Sequence, residues 1–151
     1  MVSDAQKAIE LSPSFAYAHS LLGAGLAIAG RGGSIDCIDF AIKLSPRDIW
    51  REEFDLHYSM AQFQAGLYCE AAGSAKKALI PRPGHLWPRV IRTASLGQLG
   101  SDSHSEDCVA KIRELVPGGS IESFQTIRLY VQDADHNRLI EGLRKAGLPE
   151  S

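Results

Sequence analysis

A hexapeptide that ends in proline recurs along the chain. It reads AIELSP at residues 8–13 and AIKLSP at residues 41–46, and it returns in altered form as ALIPRP at residues 78–83 and IRELVP at residues 112–117. The closing prolines, at positions 13, 46, 83 and 117, are 33, 37 and 34 residues apart. A fixed period of about 34 residues is typical of a repeated pair of helices. The chain is therefore expected to be built from repeats.

Each interval between these prolines contains two stretches with helical periodicity. The first stretches cover residues 15–29, 49–65 and 87–99, and the second stretches cover residues 34–44, 68–79 and 105–115. In the first of them, Ala18, Leu22, Leu26 and Ala29 are three or four residues apart, which is the spacing of one helix face. A glycine follows each first stretch and a proline follows each second stretch, and both residues end helices. We predict an all-α fold of antiparallel helix pairs.

The spacing divides one domain, residues 1–151, into five parts. These are a half-repeat that supplies only a second helix (1–13), repeat 1 (14–46), repeat 2 (47–83), a degenerate repeat 3 (84–117) and C-terminal capping helices (118–151). Repeat 3 is called degenerate because Pro88 lies early in its first helix, where proline is tolerated only in the first turn. In the last part we expect two helices, at residues 121–131 and 135–146, the second of which covers the exposed end of the stack.

The best preserved repeat carries a recognisable set of residues. They are His19, Leu22, Gly23 and Leu26 on its first helix, Ala41 on its second helix and Pro46 at its end. This set resembles the tetratricopeptide repeat family, and the resemblance extends over nearly the whole chain. It implies a right-handed superhelical stack of antiparallel helix pairs, a tetratricopeptide-like α-solenoid with a C-terminal capping helix.

The end of the chain adds a second resemblance. Residues 139–150, LIEGLRKAGLPE, are similar to the C-terminus of a bacterial group in which a repeat domain follows a class III adenylate or guanylate cyclase domain or another signalling module. This implies the C-terminal regulatory region of a larger bacterial signalling protein. The chain also begins with the second helix of a pair, so we expect it either to be part of a longer protein or to begin with a half-repeat cap. It contains no cyclase catalytic segment, so no catalytic residue is transferred and we expect no enzyme activity.

In the tetratricopeptide family the first helix of each pair lines a concave groove that accepts a peptide or a partner helix. The corresponding positions here are Tyr17, Ser20, Ala24, Ile28, Glu53, Leu56, Met60, Phe63, Gln64, Trp87 and Val90. This lining is mostly apolar and lacks the basic set that clamps a terminal carboxylate, so the resemblance implies an apolar helix or strand of a protein or peptide as ligand. For the aromatic residues Trp50, Phe63 and Trp87 both core packing and ligand contact remain open. Self-association is a further possibility, since an open stack leaves an apolar end face.

Candidate chemical motifs have simpler structural interpretations. Asp133, Asp135 and Asn137 have the spacing of a calcium loop, but Arg138 occupies the position of the required glycine, so we expect a helix N-cap instead. Glu53 and His57 are four residues apart, and a zinc site needs three or four ligands; we expect His57 on a solvated helix face. The glycines at positions 23 and 25 lack a preceding strand and indicate close helix packing rather than a dinucleotide loop. We expect neither a metal nor a cofactor.

Composition and charge indicate which partners and which location to expect. A formal net charge of −2 and a pI near 6.2 give no reason to expect nucleic acid as a partner. The most apolar run, residues 21–29, is far shorter than the roughly 20 residues that span a bilayer, so we expect no membrane insertion. Three widely spaced cysteines indicate reduced thiols and a cytoplasmic location.

The first functional hypothesis is a protein–protein interaction scaffold. The alternative is a region that senses a small ligand and controls an attached cyclase or transcription-regulator domain.

Overall fold

The chain folds into helices joined by short turns. A computed structural model describes residues 1–101 and 104–151 with their side chains, and in this part of the chain it shows nine helices and no strand. The helices are α1 (Val2–Leu11), α2 (Ala16–Ile28), α3 (Ser34–Leu44), α4 (Arg51–Gln64), α5 (Tyr68–Leu79), α6 (Leu86–Leu99), α7 (Asp102–Leu115), α8 (Ile121–Thr126) and α9 (Asp133–Lys145). The predicted all-α class is confirmed.

Helices α1 to α7 begin and end close to the positions that the repeat pattern predicts. α3 and α5 agree with the predicted stretches to the residue, and α2 is one residue shorter at each end. Gly100, the residue after α6, illustrates how such a helix ends. It has φ 68°, a left-handed conformation that stops the helix and is easily adopted only by glycine. Local helix-ending chemistry therefore sets these boundaries.

Successive helices pack against one another along the chain. α2 packs against α3, α4 against α5, α5 against α6 and α6 against α7, while α2 also contacts α4. A methyl group on Gly23 of α2 would lie 2.5 Å from Cγ1 of Ile38 and 2.6 Å from the carbonyl oxygen of Ser34, both on α3. Glycine here lets two helix backbones approach closely, so the packing role predicted for Gly23 is confirmed.

The prediction for the C-terminal part, residues 121–151, needs correction. We call this part the C-terminal arm. The helix expected at residues 121–131 is only six residues long, because α8 ends at Thr126 and residues 127–132 form a non-helical connecting segment. Tyr130 of this segment is fully buried in the main core. Burial of the Tyr130 side chain stabilises the fold more than a longer helix would, since tertiary packing outweighs the small differences in helix propensity.

The last helix, α9, packs mainly against α6, the first helix of the last predicted pair. The two helices meet at glycines: a methyl group on Gly97 would collide with the carbonyl oxygen of Gly142, and one on Gly142 would collide with that of Ala94. Backbone is therefore in direct contact with backbone, which only glycine permits on both helices.

The start of α9 corrects a smaller prediction. Its N-cap residue is Gln132, and neither Asp133 nor Asp135 caps the helix, because both lie inside its first turn. Carboxylates in that turn still interact favourably with the unpaired N–H groups at the helix N-terminus. None of the described helices has the combined length and hydrophobicity needed to cross a membrane.

Candidate functional site

The predicted groove residues lie on α2, α4 and α6, but most of them are inside the protein. Six are buried, namely Ser20, Ala24, Leu56, Met60, Phe63 and Val90. Five are partly exposed, namely Tyr17, Ile28, Glu53, Gln64 and Trp87. We call the surface formed by these three helices the concave surface, after the groove that the resemblance implies. Its apolar centre at Leu56, Met60 and Phe63 belongs to the main hydrophobic core and is not open to solvent.

The C-terminal arm covers this centre. The ring of Tyr130 stacks on Phe63 with ring centroids 6.1 Å apart, and its hydroxyl donates a hydrogen bond of 2.8 Å to the carbonyl oxygen of Met60. Burial raises the pKa of Tyr130 well above its usual value, so the hydroxyl stays a donor. Phe124 and Leu139 of the arm lie in the same core cluster. The arm thus fills the middle of the concave surface with its own aromatic side chain.

The connecting segment extends this cover to α2. The backbone N–H of Val131 donates a hydrogen bond of 2.9 Å to the carbonyl oxygen of Ile28, and the amide of Gln132 donates one of 3.3 Å to that of Ala29. Carbonyl groups at a helix C-terminus have no partner within the helix. The segment satisfies two of those at the end of α2, which fixes the arm to that helix.

A polar cluster fixes the arm to α4. Arg138 donates a 2.7 Å hydrogen bond to the carbonyl oxygen of Gln64 and forms an ion pair with Asp135 on its own helix. The side-chain amide of Gln64 donates a 3.4 Å hydrogen bond back to Asp135. Asp135 is nearly buried, and a buried carboxylate needs such partners. A separate partner could reach the predicted groove centre only if the arm moved away.

The opposite end of the concave surface stays open, and aromatic side chains line it. Phe15 precedes α2, Tyr17 lies in its first turn and Trp50 precedes α4. The ring centroid of Tyr17 lies 6.3 Å from those of Phe15 and Trp50. Phe15 is 49% and Trp50 48% exposed. We call these three residues the aromatic edge.

The aromatic edge packs on a buried side chain of α4. The ring of Tyr17 also lies 6.3 Å from that of Phe54, which is fully buried. Behind it, Arg82 donates hydrogen bonds of 3.0 Å to Glu53 and 3.1 Å to Glu52, which ties α4 to the turn before α6. Burial, and then the charge of Glu53, raise the pKa of Tyr17. Glu53, a predicted groove residue, is thus engaged by an arginine of the same chain.

His57 is the residue whose environment the sequence pattern misjudged. It lies in the interior and not on a solvated face, and its Nδ1 is hydrogen bonded to the Ser20 hydroxyl at 2.8 Å. Burial lowers the pKa of His57 from 6.5 to about 4. Serine and histidine here form a neutral polar pair that joins α2 to α4.

This buried histidine predicts a pH dependence of stability. In the unfolded chain His57 takes up a proton below pH 6.5, whereas in the folded protein it stays neutral until about pH 4. Protonation therefore favours the unfolded state, and the free energy of unfolding should fall by about 3 kcal/mol as the pH drops from 6.5 to 4. Urea denaturation at several pH values measures this. The variant His57→Gln should show a smaller decline, although His85 and His136, whose pKa values burial also lowers, still contribute to it. An equal slope in both proteins would contradict the assignment.

Other kinds of site find little support in the described part of the chain. No three His, Cys, Asp or Glu side chains there come together in a way that could hold a metal ion. No protein-family model matches the chain, and no curated protein matches it.

Proposed function

We propose that this chain is a helical-repeat domain of the tetratricopeptide type that binds a segment of another protein at its aromatic edge. The recurring helix pairs and the packing of each helix on its neighbours support the repeat assignment, and a right-handed superhelical stack is the arrangement we infer from them. The binding function follows from the surface that the arm leaves uncovered. Of the three residues of the aromatic edge, only Tyr17 belongs to the predicted groove lining; Phe15 and Trp50 lie outside it.

The aromatic edge is the observation that carries the proposal. Three neighbouring aromatic residues, two of them about half exposed, stand beside Ile49, which is 83% exposed. Contiguous exposed apolar surface on a soluble protein is typical of interaction sites. Tryptophan and tyrosine are also the residues that contribute most to binding free energy in protein interfaces. The ring of Tyr17 loses little conformational entropy on binding, because it already packs on the buried Phe54.

Energetics argue against the covered centre as the primary site. The arm buries five large side chains completely, those of Ile121, Phe124, Tyr130, Leu139 and Leu143. Burial of each contributes about 1.5–3 kcal/mol, so uncovering the centre costs on the order of 10 kcal/mol. That is comparable with the entire stability of a typical domain, about 5–15 kcal/mol. A short peptide would have to replace nearly all of it, whereas the aromatic edge is accessible at no such cost.

The resemblance of residues 139–150 to the ends of cyclase-linked repeat proteins supplies the proposed context. We infer a cytoplasmic regulatory region of a larger bacterial signalling protein. In that setting the domain would recruit a partner or position the attached catalytic domain. In the structure these residues form part of α9 and the tail that returns to α8, where Pro149 accepts a hydrogen bond from Ile121. The tail is thus part of the fold, which supports a structural role for residues 139–150.

Selection of peptides from a displayed library on the folded domain tests the proposed binding. We expect peptides with apolar anchors, and Trp50→Ala should weaken their binding at least tenfold, because a central tryptophan contributes about 2 kcal/mol or more. Leu99→Ala is the matched control, since Leu99 is 49% exposed but lies at the other end of α6. Affinities would be measured by fluorescence anisotropy. Peptides that bind equally well to the Trp50→Ala variant would sink the proposal.

A second candidate function has one observation in its favour. An open depression of about 500 Å³ between α6 and α9 is lined by polar side chains, including Gln98, Gln125, Asn137 and Arg138. Such a lining would suit a small polar ligand, as the sensor hypothesis requires. A thermal-shift screen with metabolites distinguishes the two functions, because a ligand that binds the folded state raises the melting temperature. A ligand whose effect is lost in Asn137→Ala but kept in Trp50→Ala would favour the sensor.

A further inference from the structure

Three hydrogen bonds of the C-terminal arm reach parts of the chain that are distant in sequence. Tyr130 bonds to Met60, Val131 to Ile28, and Arg138 to Gln64, so these contacts join residues 70 or more positions apart. By contrast α7, which precedes the arm, has almost no contact with α8 in the described part of the chain. The arm is thus a unit that docks on the concave surface and is joined to it only through the end of α7.

The connection is a single tight turn. The N–H of Gly119 donates a 2.7 Å hydrogen bond to the carbonyl oxygen of Val116, and Gly118 has φ 74°. Proline at the second position and a left-handed glycine at the third position are the features of a type II turn. Both Pro117 and Gly118 are also compatible with an extended backbone, because proline has φ near −65° and glycine is unrestricted. This turn could open without strain.

We propose that two copies of this chain exchange their C-terminal arms, so that each arm occupies the concave surface of the other copy. Simple opening would expose the core, which makes it rare. Exchange restores every contact between arm and concave surface, with only the turn at residues 116–119 changed, and closes the pair with twofold symmetry. Among possible occupants of the concave surface, a second copy is the one whose shape and hydrogen bonds already fit. The interaction is independent of the aromatic edge.

Changing the length of the turn tests the exchange. Deletion of Gly118 and Gly119 prevents the chain from reversing, so the arm can no longer reach its own concave surface. We expect at least a tenfold rise in the dimer fraction, measured by size-exclusion chromatography with light scattering. Insertion of four Gly/Ser residues after Gly118 is the matched control and should leave the protein monomeric. A folded deletion variant that remains monomeric would overturn the proposal.

An engineered disulfide shows which chain supplies the arm, and it does not depend on the deletion variant folding. A Cβ atom on Gly30 would lie 3.6 Å from Cβ of Gln132, a separation suited to a disulfide. Gly30→Cys and Gln132→Cys would be combined with Cys37→Ser, Cys69→Ser and Cys108→Ala, and the protein refolded at high concentration. Because Gly30 has φ 70°, Gly30→Cys alone is the comparator for backbone strain.

Non-reducing electrophoresis of the separated fractions then decides the result. In an exchanged dimer the two cysteines belong to different chains, so oxidation should give covalent dimers from the dimer fraction and intrachain bonds from the monomer fraction. A dimer fraction that contains only intrachain disulfides, or no dimer after refolding at high concentration, contradicts arm exchange. Trp50→Ala should change neither outcome, which separates this test from that of the proposed function.

Discussion

Gly97→Ala is expected to destabilise the protein by about 3 kcal/mol, even though the same substitution in an exposed helix normally stabilises it. A methyl group at this position of α6 would collide with the carbonyl oxygen of Gly142 and lie 2.9 Å from the backbone nitrogen of Ala146. Both atoms belong to the backbone at or near the C-terminal end of α9, so no side-chain rotation relieves the contact. The arm must shift or separate from α6.

Gly73→Ala is the matched control for this prediction. Gly73 lies in the interior of α5, and a methyl group there meets no atom within 4 Å. This variant should be stabilised by about 0.5–1 kcal/mol, because alanine has the higher helix propensity. Chemical denaturation followed by circular dichroism measures both proteins. If both substitutions changed stability in the same direction, the close contact between α6 and α9 would be refuted.

Tyr130→Ala is expected to cost about 3–5 kcal/mol, because it empties the space of the largest fully buried side chain in the described residues. The ring is enclosed by the main core and stacks on Phe63. Its loss leaves a cavity between the arm and the concave surface that rigid helices cannot fill. The free energy of unfolding would be measured by urea denaturation, with Trp50 and Trp87 as fluorescence probes.

Two further substitutions separate the contribution of the Tyr130 ring from that of its hydroxyl and from that of a neighbouring side chain. Tyr130→Phe keeps the ring and removes only the hydrogen bond to Met60, so it should cost about 1 kcal/mol. Val131→Ala changes a neighbouring side chain that is largely exposed, and it should alter stability by less than about 0.5 kcal/mol. An effect of Tyr130→Ala no larger than that of Val131→Ala would mean that the arm does not fill the core.

The helices from α1 to α7 could be predicted because their boundaries depend on local chemistry. A glycine or a proline that closely follows an apolar stretch ends the helix there, and the apolar spacing of three to four residues identifies a helix from the sequence alone. The first turn of α8 is local in the same sense: the Ser120 side chain accepts a hydrogen bond from the backbone of Ser123. The conformation of residues 127–131 is not set locally. It depends on Met60 and Ile28, which are about 70 to 100 positions away.

The candidate site was harder to predict for the same reason. The resemblance identified the helices of the concave surface, but not that the chain itself covers it. The family pattern treats Met60 and Phe63 as groove residues, whereas here they are covered by Tyr130. One signal in the sequence does point to the docking of α9. Gly97 and Gly142 both lie inside otherwise good helices, where glycine is costly unless another backbone approaches it.

The bond between Val131 and Ile28 also has a consequence for folding cooperativity. In an open stack each repeat contacts only its neighbours, so the ends can unfold while the middle persists. Here the arm, which packs on α6, is bonded to α2 at the other side of the stack. Loss of either end therefore removes contacts from the other, and the helix pairs are coupled into one unfolding unit. The same bridge raises the mean sequence separation of contacts, so the final docking step should fold more slowly than the local helix pairs.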